Sequence, residues 1–157
     1  VLEPTERPDA VALLRKAGLR VTAPRVAVLS VLGQQPHVNA EFVARAVRDN
    51  IGAISTQAVY DVLRVLTEVG LVRRIQPAGS TARFETRVGD NHHHVVCRSC
   101  GAVDDVDCAA GEVPCLTAAD APGFIVDEAE VTFWGTCHQC QTTGSEAASS
   151  SEPAATT

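Results

Sequence analysis

No apolar run in the 157 residues approaches the roughly 20 needed to cross a bilayer, so no membrane span is expected. The N-terminus also lacks the basic-then-apolar layout of a secretory signal, which points to the cytoplasm. No internal repeat is visible. Nor is there a helical His-Glu-x2-His arrangement that would set a general base beside an open metal position, so the chain does not read as an enzyme. Basic residues all but vanish after residue 88: residues 89–157 hold one Lys/Arg against eleven acids, a local net of −10.

What is present lies on the other side of that division. Residues 1–88 hold twelve Lys/Arg against eight acids, a local net of +4 hidden inside an overall charge of −6. A basic binding module joined to an acidic partner domain has this signature. Hydrophobic residues make up 45% of the chain and charged residues 20%, as in a globular protein of one domain or two small ones. Six cysteines in a chain without a signal peptide favour metal over disulfides, because four of them form two C-x2-C pairs: Cys97 with Cys100, and Cys137 with Cys140.

Periodicity divides the first half into helices followed by a hairpin. Residues 9–17 form a short amphipathic segment closed by Gly18. Thr22 reads as an N-cap with Pro24 in the first turn of a second helix, which Gly33 is expected to end. Asn39 caps a third helix with Val43, Ala46 and Val47 on one face, ending near Asn50. Ser55 opens a fourth over 55–69, with a stripe of Val59, Val62, Leu63, Leu66 and Val69 and a stop at Gly70. Two short arms, 71–75 and 81–85, flank the turn Pro77-Ala78-Gly79-Ser80 as a β-hairpin. Helices two to four plus this hairpin make a winged helix-turn-helix. The second half predicts strands at 94–97, around 102–103 and at 130–135, with a helix over 115–121, hence a small α/β domain. Residues 142–157, rich in Ser, Ala and Thr, are expected to be a disordered tail. The fold class is therefore α+β: a winged-helix domain over 1–87, a small α/β domain over 88–141, and the tail.

Three groups carry chemistry. On the fourth helix, Gln57, Tyr60, Asp61, Arg64 and Thr67 lie away from the apolar stripe, and Gln and Arg are suited to adenine and guanine edges in the major groove. Ser55 and Thr56 open the same helix, and Arg73, Arg74, Arg83 and Arg87 on the hairpin would neutralise phosphates. Asp61 opposes this, since a carboxylate is repelled by phosphate. The four cysteines of the C-x2-C pairs suit a closed tetrahedral Zn²⁺ site, structural rather than catalytic. On a strand, His92 and His94 would share one face and His93 the other; with Glu85 or Asp105 they would form a mixed nitrogen and oxygen site for Fe²⁺, Mn²⁺ or a second zinc.

The segments 17–25 (AGLRVTAPR), 58–60 (AVY), 82–85 (ARFE) and 92–101 (HHHVVCRSCG) together resemble, in order, the signatures of the ferric uptake regulator family. The resemblance covers about residues 8–141, and 88–94 with the Cys108/Cys115 pair is most similar to the actinobacterial branch that represses catalase genes. It implies a homodimer, built through the C-terminal domain, on an AT-rich palindromic DNA operator. Tyr60 and its neighbours would enter the major groove and Arg20 the minor groove. It further implies a regulatory Fe²⁺ or Mn²⁺ held by His37, Glu85, His92, His94 and Asp105. Asp at 105 is similar to the peroxide-sensing branch, in which His37 and His92 would be the oxidised ligands; Glu85 is similar to the iron-sensing branch. His93 and Glu112 fall where a further metal site would be, although Ala129 stands in place of its distal histidine. Cys108 and Cys115 read either as small buried apolar residues or as a redox pair. The expected function is a metal-dependent repressor responsive to peroxide, with an iron-responsive repressor as the alternative.

Overall fold

In a computed structural model of the chain, residues 9–77, 79–90, 92–107, 123, 125 and 130–142 are described. Three of the four helices begin at a side chain that satisfies an otherwise orphaned amide. Asp9 accepts from Val11 N at 3.0 Å before α1 (Ala10–Lys16), and Asn39 from Phe42 N at 2.9 Å before α3 (Ala40–Ile51). Ser55 accepts from Ala58 N at 3.1 Å before α4 (Thr56–Glu68). The exception is α2 (Ala23–Gln34): Thr22 is extended but makes no side-chain cap, and Pro24, which has no amide to satisfy, sets the start. Gly33 does not end α2, contrary to expectation. The stop is Pro36, which disfavours the helical conformation at the residue before it and leaves Gln35 at φ −137°, ψ 92°. After α4, Gly70 adopts φ +70° and Leu71 N returns to Leu66 O at 2.9 Å.

The chain divides between residues 90 and 91 into two units. In the first, α2 packs against α1, α3, α4 and the hairpin, so its apolar residues wrap round more than one side: Ala27, Val28, Leu29, Val31 and Leu32 are all buried. Around it Leu14, Val43, Val47, Val59, Leu63, Leu66, Val72 and Phe84 complete the core. The predicted stripe of α4 is narrower than its sequence suggests: Val62 is only partly buried and Val69, at the C-cap, is 39% exposed. The wing is β1 (Arg73–Ile75) against β2 (Arg83–Glu85), antiparallel, with Arg73 opposite Glu85 and Arg74 opposite Phe84.

Among the described residues the second unit is a three-stranded sheet in the order β4-β3-β5. β3 (His93–Cys97) runs down the middle, antiparallel to β4 (Val103–Val106) and parallel to β5 (Thr132–Gly135). Being central, β3 is buried on both faces rather than alternating, which is why three adjacent histidines are all inside. The expected helix over 115–121 and the tail beyond 142 lie outside the described residues. Among the described residues no helix is long and apolar enough to cross a membrane.

The caps carry a simple test. Ser55→Ala removes the acceptor for Ala58 N and should cost about 1 kcal/mol of stability. For a domain of this size that is a fall of about 4–8 °C in Tm, read by thermal circular dichroism without DNA. An unchanged Tm would mean the cap contributes nothing.

Candidate metal centres and nucleic-acid face

The turn that joins β3 to β4 is a tight knuckle. Gly101 takes φ +71°, its amide donates to Cys97 O at 2.9 Å, and Cys97 N donates to Ala102 O at 2.8 Å. The pairing of β3 with β5 brings Cys97 opposite Gly135, so the chain two residues later returns Cys137 to the first knuckle. Cys137 N donates to Cys97 Sγ at 3.3 Å, and a helical turn over 138–142 presents Cys140. All four sulfur atoms lie within 4.8 Å of one another. Zn–S bonds of about 2.3 Å in a tetrahedron place neighbouring sulfurs about 3.8 Å apart. Cys100 Sγ and Cys137 Sγ are 3.7 Å apart, so the cluster fits that ion.

Electrostatics in the cluster call for a cation. Amide donors, first from Cys137 and then from Cys100, bring the Cys97 thiol down to about 5. Hydrogen bonds with the Cys137 and Cys100 side chains, followed by burial, push the Cys140 thiol up to about 12. The first thiolate is stabilised by the knuckle and the last is opposed by its neighbours. A divalent ion removes that opposition.

In the first unit, His37 and Glu85 form a buried pair, with His37 Nε2 2.8 Å from Glu85 Oε2. His37 is the one non-glycine residue with positive φ among those described, at +59°. Such a conformation costs about 1–3 kcal/mol and persists only where the surroundings over-determine it. They do: His37 N donates to Phe84 O at 2.9 Å, and Arg83 Nη1 donates to His37 O at 2.8 Å. Three consecutive residues of β2 therefore hold one histidine by its amide, carbonyl and ring. Helical periodicity and strand alternation carry no signal for this. The only hint in the sequence is the Gln35-Pro36-His37 turn ahead of an N-cap.

In the second unit, register does the assembly. Asp105 is the β4 residue opposite His94, and His92 lies two residues before His94 on the same side. Asp105 Oδ1 is 3.7 Å from His94 Nε2 and 3.6 Å from His92 Nε2, and the two imidazoles stand edge to face with centroids 4.9 Å apart. His93 turns the other way, toward the Phe133 ring at 6.4 Å. Each unit thus presents buried imidazole with carboxylate: His37 and Glu85 in one, His92, His94 and Asp105 in the other. This donor chemistry fits Fe²⁺ or Mn²⁺. Glu112, Cys108 and Cys115, and with them the further metal site and the redox pair, lie outside the described residues.

The outer face of α4 is polar and exposed: Ser55, Thr56, Gln57, Tyr60, Asp61 and Arg64. Asp61, which sequence alone sets against DNA, accepts from Gln57 Nε2 at 3.2 Å, and Arg64 pairs with Glu68 at 2.8 Å. Arg20 is exposed and its carbonyl accepts from Arg25 at 2.7 Å. On the hairpin, Arg74 is exposed and Arg73 partly so. Of the two further arginines expected to serve phosphates, Arg83 is redirected, whereas Arg87 stays at the surface in an exposed ion pair. Arg83 turns inward to the His37 carbonyl, and Arg87 Nε is 2.6 Å from Asp90 Oδ2. Both guanidiniums found acceptors inside the unit, contacts that wing polarity alone does not reveal.

Comparison with known proteins agrees with this architecture. A family model described as the ferric uptake regulator family matches residues 16–133. The chain is 61% identical over 133 residues to a transcriptional regulator FurA of Mycobacterium bovis, covering 85% of this chain and 90% of the relative. It is 62% identical over 126 residues to a ferric uptake regulation protein 1 of Mycolicibacterium fortuitum, covering 80% and 78%. A peroxide-responsive repressor PerR of Staphylococcus aureus is 30% identical over 138 residues, covering 87% and 92%. Among solved structures, the ferric uptake regulator from Pseudomonas aeruginosa with manganese is similar with TM-score 0.60 and 29% identity, covering 82% of this chain and 98% of that one. A zinc uptake regulator complexed with zinc and DNA shares the fold with TM-score 0.65 at 22% identity, covering 87% and 93%.

Proposed function

We propose, because the chain belongs to the ferric uptake regulator family, that it works as a homodimeric repressor whose grip on operator DNA is set by a regulatory metal and released by peroxide. Metal-responsive control of transcription is the function of the family, and enzymatic turnover is not. The observation that carries the reading is the matched pair of buried donor sets. His37 with Glu85 belongs to the unit bearing α4 and the wing, and His92, His94 and Asp105 belong to the sheet. In this reading His37, Glu85, His92, His94 and Asp105 are the ligands of the regulatory Fe²⁺ or Mn²⁺, and its occupancy sets the affinity for DNA. Cys97, Cys100, Cys137 and Cys140 hold a structural Zn²⁺.

The remaining parts follow from this. Among the described residues β5 lies at the edge of the sheet, with Phe133 47% and Trp134 38% exposed, a surface suited to a second copy. Two copies related by a two-fold axis read a palindrome. In each, Gln57, Tyr60 and Arg64 would face base edges, and Ser55, Thr56, Arg20, Arg73 and Arg74 the backbone and minor groove. His93, with Glu112, is proposed for a further metal, and Cys108 with Cys115 as small apolar residues, with a redox pair as the alternative. The name of the Staphylococcus aureus relative supports peroxide as the signal, as does an aspartate at 105. Fe²⁺ in such a site would reduce H₂O₂, and the oxidant so formed would add oxygen to an adjacent imidazole. The residues' part is to hold His37 and His92 within reach and keep their rings in one orientation. Glu85 and the name of the Mycolicibacterium fortuitum relative favour the second reading, in which iron itself is the signal.

A gel-shift series with anaerobic Fe²⁺-loaded protein separates the two. Under the peroxide reading, H₂O₂ releases the DNA, mass spectrometry finds one added oxygen on His37 or His92, and Mn²⁺-loaded protein resists. If H₂O₂ at fixed Fe²⁺ leaves affinity unchanged while chelation alone releases the DNA, the iron-responsive reading stands instead.

A further inference from the structure

We propose that Arg83 is a positioning residue for the regulatory ion: by holding the His37 carbonyl it keeps that peptide in the left-handed turn that aims the imidazole at Glu85. The inference rests on the reading of His37 and Glu85 as ligands. His37 lies at φ +59°, a conformation that a histidine leaves when its surroundings permit. Three contacts from β2 oppose its departure. The amide bond to Phe84 is backbone and survives any change of side chain. The bond to Glu85 belongs to the ligand pair itself. The Arg83 guanidinium, 2.8 Å from the carbonyl, is a side chain that is no ligand and still grips the turn. It is partly buried, and its bond spans 46 positions, so it ties the loop between α2 and α3 to the wing. Partners that orient a ligand in this way are worth about ten- to a hundredfold in metal affinity.

The position of Arg83 adds a second role. β2 is one arm of the wing, and its Phe84 lies opposite Arg74, an exposed residue proposed to face DNA. If Arg74 contacts DNA as proposed, a shift of the wing would be passed to the His37 peptide through the Arg83 and Phe84 hydrogen bonds.

The test uses the full-length zinc-containing protein and Mn²⁺ as probe, with zinc content and circular dichroism measured on every variant. Arg83→Met keeps the stem and removes the donors; Arg83→Lys keeps a donor. We expect Arg83→Met to bind Mn²⁺ at least about tenfold more weakly and to exchange the His37 amide faster in hydrogen-exchange mass spectrometry. Arg83→Lys should recover most of both, with zinc unchanged throughout. Should the Met variant not fold, Arg83→Gln, polar but too short to reach the carbonyl, takes its place. Parental Mn²⁺ affinity in either donor-short variant overturns the proposal. If the parent binds no Mn²⁺, or Glu85→Ala and His37→Ala bind it as the parent does, the ligand reading itself falls. That result is distinguishable, because it appears without any change at Arg83.

Discussion

Cys137→Ser will lose its zinc and with it the three-stranded sheet. Cys137 joins the two knuckles: its amide donates to Cys97 Sγ, and its own sulfur is 3.7 Å from Cys100 Sγ. The sheet it closes has strands of five, four and four residues, too little to persist on hydrogen bonds alone. Structural Zn²⁺ contributes about 10–16 kcal/mol of apparent binding energy in small thiolate domains near neutral pH, more than a typical domain's whole stability. Serine is nearly the same size but does not ionise, so it leaves a three-thiolate site with an open position. We expect zinc by atomic emission to fall from one per chain to near none. Amide exchange across β3 should rise to that of an unprotected chain, while α2 to α4 keep their protection. A variant that retains zinc and protected β3 amides would show that the fourth sulfur is dispensable.

Glu85→Gln should abolish the regulatory response with little effect on the fold. Glu85 is fully buried, and its Oε2 is 2.8 Å from His37 Nε2. Glutamine keeps the volume and a hydrogen-bonding oxygen but removes the negative charge. A divalent ion bound by imidazoles and carboxylates in a buried site depends heavily on that charge. Mn²⁺ affinity should fall by at least about a hundredfold, equivalent to about 2.7 kcal/mol, with zinc content and Tm close to the parent's. The two outcomes together are diagnostic. Weak Mn²⁺ binding with intact zinc separates the regulatory site from the structural one, whereas an unchanged Mn²⁺ titration removes Glu85 from the ligand set.

How much was legible in the sequence depends on whether the signal was local. Asn39 and Ser55 announce their helices because capping is settled within three residues, and both caps form. The C-x2-C spacing fixes each knuckle on its own, and the four sulfurs do converge. Alternation along a strand places His92 and His94 together and His93 apart, as their ring contacts show. Gly33 misleads because glycine in a well-buried helix is tolerated, and Pro36 three residues later is the stronger stop. Val69 misleads because a helical stripe loses its meaning at the last turn, where no neighbour covers it. Arg83 was out of reach altogether. Its partner is a backbone carbonyl 46 residues away, and no periodicity predicts which guanidinium turns inward.

One strand carries both kinds of donor. His94 and Cys97 stand three residues apart on β3, a rise of about 10 Å. The same ladder that presents His94 to Asp105 ends at the first thiolate knuckle. If both proposed sites are filled, the strand that presents His94 is the one the zinc knuckle anchors, so losing zinc should also disorder the His92 and His94 donors. Under the proposed function, loss of the zinc knuckle would therefore cost the chain its regulatory response along with its fold.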